Sequence, residues 1–137
     1  MTTTDTMTIT VTSTGNRYNV GTATLTRPEQ ADDEVRVYLV TVDLQAAEHF
    51  GASSRAGTVI GAIVRNDRQR RWEPVAYTNR QFIFDGSGPV YDLPPARNRV
   101  AAIRALLKWW NAIDTGKLPA NQNPWELSPA NRRYLTA

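Results

Sequence analysis

The chain contains no cysteine, which excludes disulfides, thiolate nucleophiles and cysteine-ligated zinc. Its one histidine is His49, too little for a histidine-built metal centre. No run approaches the roughly 18 apolar residues of a membrane span. The opening MTTTDTMTITVTSTG has neither the basic n-region nor the continuous apolar h-region of a signal peptide. The expectation is a cytoplasmic protein that meets no membrane. Catalytic signatures are missing too. No serine sits in a G-x-S-x-G elbow, and Gly86-Ser87-Gly88 lacks the following Lys-Ser or Lys-Thr of a phosphate-binding loop. Asp32-Asp33-Glu34 is the sole acidic cluster and reads as a solvated loop. Asp43 and Glu48 lie near His49 in sequence, but a lone histidine at the end of a short helix is more often structural. The chain is therefore expected to be no enzyme and to hold no cofactor and no metal.

What is present suits one globular domain. With 137 residues, 41% of them hydrophobic and 21% charged, the chain is long enough to bury a core without staples. Its net charge of +3 is unevenly spread. Residues 1–54 hold three arginines against seven acidic residues, and residues 55–137 hold thirteen basic residues against six. A basic half points to an anionic partner.

Met7, Ile9 and Val11 alternate with threonines, the period of a half-buried strand. Gly15-Asn16 supplies a turn, and 17–26 reads as the returning strand. VRVYLVTVDL (35–44) is a strand whose apolar phase slips between Leu39 and Val40, predicting a bulge or burial on both faces. QAAEHFG (45–51) reads as a short helix closed by Gly51. GTVIGAIV (57–64) and RWEPVAY (71–77) read as two arms of a hairpin, the second placed at an edge or bulged because Pro74 cannot donate to a ladder. RQFIF (80–84) is expected to add a last short strand. After Pro94-Pro95, residues 96–114 carry Val100, Ile103, Leu107 and Trp110 at helical spacing, widened by Leu106, Trp109 and Ile113. Trp110 is expected in the core, with Trp109 covered by the tail. The expected fold is a single α+β domain over 1–137. It has a mostly antiparallel sheet of about five to six strands packed against one long C-terminal helix, and an irregular tail, 115–137, that folds back on the core.

One stretch carries chemistry. In IVRNDRQRRWEPV (63–75), Arg65, Arg68, Arg70 and Arg71 crowd a hairpin tip that includes one acid, Asp67. Guanidinium forks suit bidentate contact with phosphate, and a two-stranded ribbon fits a DNA major groove. Trp72, and Tyr77 beside it, would stack on unpaired bases if exposed. Arg80, and Arg97, Arg104 and Lys108 on the helix, add charge in the same half. The plainer reading is that a charged tip keeps a hairpin soluble.

Gly61-x-Ile63, the arginine-rich turn, Trp72-Glu73 and an Arg99-x-x-Ala102-Ile103-x-x-Leu106 helix resemble small sheet-plus-helix modules common in phages and actinobacteria. Among these are the arm-type DNA-binding domains of phage integrases, in which a three-stranded sheet is backed by one helix. The resemblance spans about residues 57–107. It implies a local sheet-plus-helix fold and, by analogy, DNA binding. The matching Gly61, Ile63, Trp72, Ala102 and Leu106 occupy scaffold positions in such modules. This chain departs from them in its longer segment between Trp72 and the helix and in its first 56 residues.

Two functions follow as expectations. The first is a non-enzymatic nucleic-acid-binding domain whose site is Arg65, Arg68, Arg70, Arg71, Trp72 and Arg80, with the arginine-rich hairpin (65–72) contacting the phosphate backbone of DNA or RNA. The alternative is a protein–protein interaction module, such as a phage or mobile-element accessory, virion or host-inhibitor protein. Its acidic N-terminal half, or the tail around Trp125, would then make the contact. One continuous basic face favours the first, and scattered arginines favour the second.

Overall fold

The computed structural model describes residues 4–27, 36–77 and 90–115. Within them the chain is α+β, an antiparallel sheet with a C-terminal helix. The strands are β1 (Thr4–Ser13), β2 (Asn16–Thr26), β3 (Val37–Val42), β4 (Val59–Asn66), β5 (Arg71–Tyr77) and β6 (Val90–Asp92), and each pairs with the next in chain order. Helix α1 (Leu44–His49) and a 3-10 turn (Ser53–Arg55) join β3 to β4, and helix α2 (Arg99–Asp114) follows β6. The expected strand at 80–84 and the expected tail beyond residue 115 lie outside the described residues.

The β1–β2 turn is Thr14-Gly15, one residue earlier than the sequence suggests, with φ of +49° and +80°. Positive φ at both central residues gives the turn a twist that matches its strands. Farther along, Ile9 pairs with Gly21 and Thr10 with Asn19, so Val20 is an extra residue on β2. Gly21, at φ +143°, is needed there because a Cβ would lie 2.5 Å from Ala46 of α1. A bulge of this kind bends and twists the strands that carry it. The outer half of the hairpin reaches α2, where Arg104 Nη1 donates to the Thr10 carbonyl at 3.4 Å.

A second bulge lies opposite the phase slip at Leu39-Val40. Val40 pairs with Gly61 and Thr41 with Val59, so the extra residue is Ile60 on β4 rather than a residue of β3. Burial on both faces occurs as well. Tyr38, Val40 and Ile63 belong to the core under α2, whereas Val37, Ala62, Val64 and Val75 occupy the opposite register positions and are also buried.

Pro74 does not mark the rim of the sheet, as the sequence reading had it. β5 lies between β4 and β6. The Pro74 carbonyl accepts from Leu93 N at 3.0 Å. The missing N–H therefore faces the β6 side, because both polar groups of a strand residue point the same way. The β4–β5 ladder stays complete while the β5–β6 ladder stops after Val75–Asp92 and resumes as a single bridge, Trp72–Ala96.

The start of α2 is fixed by Asn98 and not by a proline in its first turn. Asn98 Oδ1 accepts from Ala101 N at 2.8 Å and its carbonyl accepts from Ala102 N at 3.1 Å, the pattern of an N-cap. The apolar stripe then lands where the spacing puts it. Ile103, Leu106, Leu107, Trp109 and Trp110 are buried together with Ile9, Leu25, Val40, Ile60 and Ile63. Trp110 Nε1 donates to the Ile60 carbonyl at 2.7 Å, so the indole covers a backbone group that the bulge leaves without a strand partner.

Candidate nucleic-acid interface

The β4–β5 hairpin is closed by a four-residue loop, Asp67–Arg70, between the pair Asn66–Arg71. Asn66 Oδ1 accepts from Gln69 N at 3.1 Å and Asn66 Nδ2 donates to Glu73 Oε1 at 3.1 Å, which ties the loop to both arms. Arg70 turns the chain back with φ +56°, a conformation in which an L side chain is strained and glycine is not. Arg68, Arg70 and Arg71 are exposed, and among the described residues none of them makes an ion pair.

The four arginines do not share one surface. Arg65 pairs across the strands with Trp72 on the α2 side of the sheet, while Arg71 opposes Asn66 on the other register. Arg65 is also partly neutralised, since its Nε donates to Asp67 Oδ1 at 3.2 Å. Trp72 is not a stacking platform. It is 9% exposed, packs against Tyr38 at 6.1 Å between ring centroids, and carries the guanidiniums of Arg65 and Arg99 at 5.7 and 6.0 Å from its ring. The indole that sequence reasoning offered to a base is a core side chain whose ring is held by two cations. Arg80 lies outside the described residues, as does the side chain of Tyr77.

A second basic feature has no local signal in the sequence. Thr10 and Thr12 of β1 and Arg17 of β2 face Arg97, Asn98, Val100, Ala101 and Arg104 at the start of α2 across a groove of about 600 Å³. Among the described residues no acidic side chain lines it. The nearby Arg99 points elsewhere, toward Asp5 Oδ2 at 3.6 Å. Arg97 and Arg104 were visible as helix charge, but Arg17 comes from a hairpin some eighty residues away in the chain.

Among the described residues no ion pair joins His49 to a carboxylate. Asp43, one of the two carboxylates near it in sequence, is the N-cap of α1. Its Oδ1 accepts from Ala46 N at 2.9 Å, and its Oδ2 accepts from the Thr22 N–H at 3.1 Å and the Thr22 hydroxyl at 2.8 Å. Burial raises the pKa of this carboxyl, but the hydrogen bonds from Ala46 and Thr22 together outweigh it and hold the pKa below the ordinary value. His49 is exposed and packs edge-on against Phe50 at 4.9 Å. Among the described residues no three histidine, aspartate or glutamate side chains converge as metal ligands, and no helix is long and apolar enough to cross a membrane.

No family model, curated protein or solved structure matches the chain.

Proposed function

We propose that this chain is a cytoplasmic, non-enzymatic nucleic-acid-binding domain whose β4–β5 hairpin contacts phosphates. The observation that carries this reading is the set of three exposed guanidiniums, Arg68, Arg70 and Arg71, with no ion pair among the described residues, at the tip of the hydrogen-bonded β4–β5 hairpin. A tip with cations around it rather than on one side can meet phosphates on both walls of a groove. The strain at Arg70 supports the same reading, because a position that favours glycine is occupied by a charged side chain. The strands β4, β5 and β6 backed by α2 also have the three-strands-and-helix arrangement of the arm-type domains that residues 57–107 resemble. Arg65 has a smaller share than the sequence suggests, since Asp67 and Trp72 occupy it.

The reading is tested by duplex DNA, single-stranded DNA and RNA binding over a salt series. Three phosphate contacts at the tip contribute a log–log salt slope of roughly −3, and replacing Arg68 and Arg70 with alanine flattens it by about two units. Absence of binding to any of the three at micromolar protein and low salt would overturn the proposal and leave the protein-interaction module in its place.

A further inference from the structure

We infer that the groove between the β1–β2 hairpin and the first turns of α2 is a second anion site, built to hold a phosphate group with Arg17, Arg97 and Arg104. This inference is independent of the hairpin reading, since it uses none of the same side chains.

Arg55, Arg65 and Arg99 are each partly buried, and each has a carboxylate within reach, at 2.7, 3.2 and 3.6 Å. Arg104 is also partly buried, yet it meets no carboxylate among the described residues and donates to a backbone carbonyl, Thr10 O, at a long 3.4 Å. A guanidinium has five N–H donors, and among the described residues this bond uses one of them. The side chains that share its groove are two more arginines, two threonines and an asparagine, with no acid among them. Three like charges lining one concavity repel one another, and low-dielectric walls strengthen that repulsion. A bound anion reverses its sign.

The chemistry of the lining points to phosphate. Planar guanidiniums present paired donors that match phosphate oxygens, and a tetrahedral anion offers oxygens to more than one of them at once. Thr10, Thr12 and Asn98 make the rest of the polar lining. The volume, about 600 Å³, falls within the range of small-molecule pockets, so the groove admits a nucleotide-sized ligand as well as one phosphodiester of a strand. These two sources offer the same chemistry, and the experiment below separates them.

The variant Arg17→Gln/Arg97→Gln removes two charges from exposed positions that make no ion pair among the described residues; Arg104, which touches the backbone, is left in place. The full chain is titrated with pyrophosphate and with a short oligothymidine, following thermal unfolding and the arginine Nε–H resonances, beside the tip variant Arg68→Ala/Arg70→Ala. Pyrophosphate is expected to stabilise wild type and the tip variant and to bind the groove variant roughly tenfold or more weakly; that outcome assigns the site to a free phosphorylated ligand. If oligothymidine alone responds, with tenfold weaker binding in the groove variant, the site belongs to a nucleic-acid backbone. Equal affinity of wild type and groove variant for both probes overturns the inference. Loss of pyrophosphate binding only in the tip variant overturns it too, while leaving the hairpin proposal standing.

Discussion

At the scale of single residues, Arg70 separates the needs of the fold from those of binding. With φ at +56°, its backbone has a conformation that costs an L residue about 1 kcal/mol and a glycine almost nothing. Arg70→Gly is therefore expected to raise stability by up to about 1 kcal/mol, read as a few degrees in the unfolding midpoint, while the salt slope of nucleic-acid binding loses about one unit. A destabilised variant would mean that the turn is misassigned, and an unchanged slope would remove Arg70 from the phosphate contacts. Asp43 works the other way, for the fold alone. Its carboxylate serves Ala46 and Thr22 at once, so Asp43→Ala is expected to cost about 2 kcal/mol, a cap plus part of a buried network. Because the folded-state pKa lies below the unfolded one, the carboxylate's contribution is complete above the usual value near 3.9 and fades as pH falls through the lower folded value. Urea unfolding of wild type and Asp43→Ala should thus differ most at neutral pH and converge in strong acid; a gap independent of pH would remove the ionised cap from the account.

At the scale of elements, the exchange between α2 and the bulged β4 carries most information. Ile60 is the residue that β3 leaves unpaired, and Trp110 supplies its carbonyl with a donor while filling the core beneath. The Arg55 guanidinium, 3.9 Å from the centre of the Trp110 ring, closes that side and bonds to Asp114 at the helix end. Trp110→Ala is expected to cost about 3–5 kcal/mol, whereas Trp110→Phe keeps most of the volume and loses chiefly the bond to Ile60, about 1–2 kcal/mol. Denaturant unfolding of the two variants checks both values, and equal costs would mean that the indole N–H contributes nothing.

The same elements indicate what was legible in the sequence. The helix was legible, because its stripe runs uninterrupted from Val100 to Trp110, and so were the two hairpins, whose alternating arms flank turn residues. Strand β6 was not, since three residues between proline breaks are too few to display a period. The bulges had faint signals, isolated glycines (Gly21 and Gly61) inside strands and a phase slip at Leu39-Val40 on the strand opposite the one that bulges. At Gly61 a Cβ would collide with the Val75 carbonyl and come within 2.9 Å of Leu106 Cδ2, a closeness no pattern along one strand reveals. The hairpin arginines were legible as a cluster. That Trp72 is a core residue and that Arg17 meets Arg104 depend on sheet curvature, which is a property of many residues together.

For the molecule as a whole, the acidic first part and the basic second part of the chain meet among the described residues. Asp5 of β1 sits beside Arg99 of α2, and Arg17 of β2 joins the basic groove. The antiparallel meander wraps its first hairpin onto the last helix, so residues far apart in the chain share one core. This bears on the expected likeness to arm-type modules, which spans about residues 57–107, that is β4, β5, β6 and the first part of α2. The core beneath α2 also draws Ile9, Val20, Ala23, Leu25, Val40, Val42, Ala46, Ala47 and Ala52 from the part of the chain before β4. β3 further pairs along β4 from Val37–Val64 to Thr41–Val59. A fragment of residues 57–115 loses those contacts, exposes the apolar face of α2 and leaves β4 as an open edge. With roughly half of its buried partners gone, the fragment falls below what a chain of about sixty residues needs to fold alone. It is expected to lack a cooperative thermal transition under conditions where the full chain unfolds in one step. The informative contrary result is a fragment that melts cooperatively and binds DNA with the salt slope of the full chain. The three strands and helix would then be an autonomous module, and the first 56 residues an addition whose role lies elsewhere.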